Sequence, residues 1–142
     1  MRLFLDANVV SAAAHWPQGR SRALFRLADA GRCEIVSSRH AIGEARRNLA
    51  LKSPKGAEVL DSLLKGLERV GEAGPNLVKW AAAFELGEND APILAAAAAA
   101  EADILVTCDR RHFGHLFGSE IGGVRVAPPA EALHLIVDHP AG

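Results

Sequence analysis

The stretch RLFLDANVVSAAA, residues 2–14, opens on an apolar run, ends that run on an acid at Asp6 and an amide at Asn8, and continues as a helix former. Four apolar-rich residues of this kind suit a strand buried on both faces. A second stretch has the same shape: DILVTCD, residues 103–109, closes its apolar run on Thr107, Cys108 and Asp109. Strands separated by helices imply right-handed crossovers and a mostly parallel sheet covered on both faces, a three-layer α/β/α arrangement. In such sheets ligands bind outside the carboxyl ends of the strands. Asp6 and Asp109 would then meet at one edge.

The segments between fit this alternation. SRALFRLADAGR (21–32) reads as a helix stopped by Gly31, CEIVSS (33–38) as a strand, and RHAIGEARRNLALK (39–52) as a helix. Ser53-Pro54 starts another helix, expected to run to about Val70. GEAGPN (71–76) is a loop, and NLVKWAAAFELGEN (76–89) is expected as a short extended piece and a short helix. DAPILAAAAAAEA (90–102) carries the strongest helix signal: an acid at the cap, Pro in the first turn, then the best helix former. RRHFGHLFG (110–118) reads as a short helix or turn, VRVAPP (124–129) as a last strand, AEALHLIV (130–137) as a terminal helix and about 138–142 as a frayed tail. No repeat or linker divides the chain, which is expected to be one domain over 1–142.

Composition bounds the function. At 142 residues, 49% apolar and 23% charged, the chain can bury one real core, filled by Ala, Leu, Val and Ile because aromatics are few. A net charge of −1 gives no global basic field, so nucleic acid would need a local patch. Cys33 and Cys108 stand far apart, as free thiols do in a reducing compartment. The most apolar stretch is interrupted by Glu101 and Asp103 and is too short to span a bilayer, and no leader is visible, so a cytoplasmic protein is expected.

Each acid has an ordinary explanation when taken alone. Asp6 suits a helix cap or an Asx turn, and Glu44 a solvated helix position pairing with Arg47. Asp90 suits the cap of the alanine helix, and Asp109 a turn at a strand end. Taken together, at least three of them fall at one sheet edge. Carboxylates converging in a small volume must hold a proton or a cation. A hard divalent ion such as Mg²⁺ or Mn²⁺ takes oxygen ligands. No Cys/His zinc pattern competes, and His112 and His115, three apart, read as a surface pair.

LDANVV (5–10), HAIGEARRNL (40–49), NDAPILAAAAAAEADILVTCD (89–109) and DRRHF (109–113), in that order, resemble the PIN domain family of metal-dependent nucleases. The likeness covers about residues 2–137 and is closest to small single-domain members such as VapC-type toxins. It implies a PIN-like α/β/α fold, an acidic pocket for Mg²⁺ or Mn²⁺, and endonucleolytic cleavage of RNA to 5′-phosphate and 3′-hydroxyl ends. It implies a toxin role with an antitoxin partner, and a homodimer. By position, the acidic set becomes Asp6, Glu44, Asp90 and Asp109, with Asn8 and Thr107 in support. Asp6, Asp90 and Asp109 would be the metal ligands, and Glu44 would hold a water or a second ion. Many members carry a further Asp or Asn where this chain has Arg111, which weakens a second metal position.

Arg111, Arg110 and Arg47 are the expected phosphate contacts, each equally readable as a solvated surface charge. Trp16 and Trp80 could stack on bases, but a core or interface place is the simpler expectation. Two other readings compete. A catalytically weak PIN-like module would bind RNA or protein only. An aspartyl phosphatase of haloacid-dehalogenase type wants an acid two after the first Asp, where this chain has Asn8.

Overall fold

The computed structural model describes residues 1–139. Its sheet, among the described residues, has six strands: β1 (Arg2–Leu5), β2 (Glu34–Ser38), β3 (Glu68–Val70), β4 (Ile104–Val106), β5 (Glu120–Ile121) and β6 (Val124–Ala127). They lie in the order β3-β2-β1-β4-β6-β5, all parallel except the β5–β6 pair. The chain leaves β1 toward β2 on one side, and β4 returns on the other, so the winding reverses between β1 and β4. Leu5 pairs with Val106 there, which puts the next residues of both strands at a common carboxyl edge.

Side-chain alternation along β1 and β4 feeds two cores. Leu3, Leu5, Ile104 and Val106 face one layer, and Phe4 and Leu105 the other. The first layer holds α1 (Ala7–His15), α2 (Arg20–Asp29), α3 (Arg39–Lys52), α4 (Pro54–Leu63) and α8 (Pro129–Asp138). The second holds α5 (Pro75–Ala82), α6 (Ala91–Ala99) and the short α7 (Arg110–Phe113). The alanine run of α6 lies almost wholly inside this second core. Methyl-sized side chains let a helix buried nearly all round approach the sheet closely. No helix is long and apolar enough to cross a membrane among the described residues.

Two stretches differ from their sequence reading, and a third, 119–123, was not read. The helix begun at Ser53-Pro54 ends at Leu63, turns once as a 3₁₀ segment over Leu64–Gly66, and becomes edge strand β3. Gly66 supplies poor helix propensity where the turn tightens, and pairing with β2 captures the residues beyond. The extended piece expected near residue 76 is helical, because Pro75 occupies the first turn of α5. The sequence IGGV (121–124) makes the tight β5–β6 hairpin, with Gly122 and Gly123 at φ +58° and +84°. Of the expected tail, Asp138 belongs to α8 and residues 140–142 lie outside the described residues.

Candidate active site

The four acids arrive from four places. Asp6 follows β1, Glu44 lies in α3, Asp90 precedes α6 and Asp109 follows β4. Asp6 is 7% exposed and caps α1 by accepting the Ala7 N–H at 2.8 Å. Its second oxygen accepts the Thr107 hydroxyl at 2.9 Å and the Asn8 amide at 3.3 Å. Thr107, fully buried, accepts the Asp109 N–H at 3.1 Å on the same hydroxyl. Asn8 closes the link, accepting the Cys108 N–H at 2.9 Å. One network therefore ties the ends of β1 and β4 and holds the Asp6 carboxylate and the Asp109 backbone. Asn8 and Thr107 thus both donate to the Asp6 carboxylate.

Asp109 caps α7, accepting the His112 N–H at 3.0 Å and the His112 ring nitrogen at 2.7 Å. The same ring nitrogen is 3.7 Å from Asp90. Ligand atoms of Asp90, Asp109 and His112 lie within 4.8 Å of one another. His112 is exposed, as expected, and its ring also joins the cluster. A signal was present: the residue three after a capping acid presents its N–H, and here also its side chain, to that acid. Asp90, the acid with the best capping explanation, makes no side-chain cap bond, so its lone pairs remain available. Glu44 is exposed and makes no ion pair among the described residues; the nearby pair is Arg46 with Asp61, at 2.8 Å.

The charges feel one another. Burial pushes the Asp6 carboxyl up to about 6, against the pull of Thr107 and Ala7, and Glu44 and Asp90 add to the rise. Burial also raises Asp90; His112 opposes this, while Asp109 and Glu44 reinforce it. Asp109 is raised by burial too, but the hydrogen bonds and charge of His112 bring it below the usual carboxylate range. The hydrogen bond to Asp109, then its charge and that of Asp90, raise His112. Each of the four acids is thus a charge neighbour of another. The donor set of three aspartates, a glutamate and one imidazole fits a hard or borderline divalent cation.

The expected phosphate contacts separate. Arg110 lines a cleft of about 530 Å³ that shares Cys108 with the loop between Thr107 and Asp109. Arg111 is exposed, and its charge reaches His112. Arg47 is exposed along α3 and lines none of the clefts around the acids. Trp80 packs edge-on against Phe84 at 5.4 Å between ring centroids, whereas Trp16 is 61% exposed and so is no core residue.

Solved structures share the fold. VapBC2 of Rickettsia felis, bound to a DNA fragment from its promoter, aligns at 20% identity and TM-score 0.65, covering 90% of this chain and 98% of that one. The PAE2754 protein of Pyrobaculum aerophilum aligns at 16% identity and TM-score 0.68, over 98% and 97% of the two chains. The sarcin–ricin-loop-cleaving toxin VapC20 of Mycobacterium tuberculosis aligns at 14% identity and TM-score 0.55, over 80% and 94%. No curated protein matches in sequence. A family model described as a PIN domain matches residues 2–111, which include all four acids. The chain belongs to the PIN domain family.

Proposed function

We propose that this protein is a divalent-metal-dependent endoribonuclease and the toxin of a toxin–antitoxin pair. The observation that carries the reading is the cluster of Asp90, Asp109 and His112, whose ligand atoms lie within 4.8 Å of one another, beside a buried Asp6 that Thr107 ties to the Asp109 backbone. Membership of the PIN family supports a nuclease, and the toxin neighbours support the biological setting.

Mg²⁺ or Mn²⁺ held by Asp6, Asp90 and Asp109 would supply charge neutralisation at the phosphoryl group and acidify a nucleophilic water. The residues do the rest. Thr107 and Asn8 fix the Asp6 carboxylate, and Thr107 also fixes the backbone of Asp109. Glu44, exposed and unpaired among the described residues, orients the attacking water. Arg110 and Arg111 bind phosphates beside the acids, giving affinity with little sequence selectivity.

Cleavage of a labelled mixed-sequence RNA with Mg²⁺ or Mn²⁺, and its loss in EDTA, tests the reading. Asp6→Asn and Asp109→Asn should each lower the rate by 100-fold or more. Wild-type protein inert toward RNA in both metals would sink it. The toxin role predicts a neighbouring reading frame for a small DNA-binding antitoxin, and co-purification of its product. A homodimer is part of the same proposal, read out by light scattering.

A further inference from the structure

Trp16 is set on edge between two clefts. One, of about 530 Å³, has Arg20, Ser21 and Arg110 in its walls; the other, of about 270 Å³, has His15 and Lys52. Both border the acidic cluster, the first through Cys108 and the second through Asn8. Neither is lined by a single acid, although the chain has 17. Arg20, Arg110 and Lys52 take part in no ion pair among the described residues. Cation-lined clefts thus flank an anionic centre in a protein of net charge −1.

The backbone that carries the indole is fixed at the end of α1. The Trp16 main-chain N–H donates to the Ala12 carbonyl at 2.8 Å, and the Trp16 carbonyl accepts the Gly19 N–H at 3.0 Å across a tight turn. His15 meets the ring edge-to-face at 4.4 Å, which braces it while leaving a face open. An exposed, braced aromatic face between free cations matches a chain that alternates π faces with negative charges. An apolar or acidic peptide would use the arginines or the indole but has no regular alternation of the two.

We propose that Trp16 is a stacking platform for one base of the RNA substrate, at the join of the two clefts, which together form one groove. Arg20 and Arg110 hold the phosphates on one side of the acidic cluster, and Lys52 those on the other. The proposal rests on the ribonuclease reading and adds to it Trp16 as the residue that takes a base, which only an unpaired base with a free face allows.

Binding of a fluorescent 12-nucleotide mixed-sequence RNA, followed by anisotropy on the Asp109→Asn protein, tests it without cleavage. Trp16→Ala should weaken binding about tenfold, the factor for about 1.4 kcal/mol of stacking. Trp16→Phe should restore most of it. Arg20→Ala and Arg110→Ala should weaken binding and each reduce the salt slope by about one. Val137→Ala, on the equally exposed apolar residue of α8, should change nothing. In the active protein, Trp16→Ala should raise KM for single strands far more than it lowers kcat. Binding that survives Trp16→Ala unchanged overturns the groove, as does equal loss for a fully paired duplex. A Trp16→Ala protein that binds RNA normally but no longer dimerises assigns the face to a protein interface and also overturns it. Trp16-dependent binding without any cleavage by wild type upholds the groove and removes the nuclease reading.

Discussion

The Thr107 hydroxyl donates to Asp6 at 2.9 Å across the seam between β1 and β4. A hydroxyl has one proton to give and two lone pairs to offer. Thr107 uses all three, giving its proton to Asp6 and accepting from Asp109 and Asn8. Thr107→Val keeps the shape and leaves a buried carboxylate oxygen and a backbone N–H short of a partner. The expected loss is about 1–3 kcal/mol in urea unfolding, with a marked fall in cleavage rate. Thr107→Ser should recover both.

Asp6 predicts an inverted pH dependence in EDTA. Its folded value of about 6 lies above the ~3.9 of an unfolded aspartate, so the folded state holds this proton more tightly. The stabilisation is complete below about pH 4 and disappears as pH rises through 6, an effect of up to about 3 kcal/mol. Chemical denaturation at pH 4, 5, 6 and 7 should show wild type losing stability relative to Asp6→Asn over that window. A wild-type-minus-Asp6→Asn difference that stays flat across it would contradict the burial of this charge.

His112 reports on the cation. Its hydrogen bond to Asp109, with the charges of Asp109 and Asp90, holds its pKa up without metal. A divalent ion taken by those carboxylates replaces attraction by repulsion. NMR titration of the His112 Cε1–H should therefore show a lower pKa in saturating Mg²⁺ than in EDTA. An unmoved value places the ion elsewhere.

Gly122 carries a separate burden. A Cβ there would sit 2.6 Å from the Trp80 ring, at φ +58°. Gly122→Ala should cost about 2–4 kcal/mol in thermal or chemical unfolding, the sum of left-handed strain and overpacking. Gly123→Ala, at φ +84° with nothing within 4 Å, should cost only about 1–2 kcal/mol. Equal losses would remove the Trp80 contact as the cause.

The places of Asp6, Asn8, Thr107 and Asp109 were legible because two apolar runs each ended abruptly in polar residues, and a parallel sheet aligns such ends. The alanine helix was legible from propensity and its proline. Edge strands β3 and β5, of three and two residues, were not, since so few residues carry no alternation and the pairing is decided by the neighbouring strand. The two glycines of IGGV were a turn signal that the sequence reading passed over. His112 was hidden for another reason: spacing against His115 was compared, whereas its partner is Asp109, three residues back. Trp16 was expected in the core or at an interface, and only tertiary structure shows an exposed ring that meets His15.

The pairing of Leu5 with Val106 also has a temporal meaning. Asp109 leaves the ribosome 103 residues after Asp6. The acids flanking the seam cannot share a cation until β4 has slotted in beside β1. A nascent or truncated chain stopping before β4 therefore holds no assembled pocket.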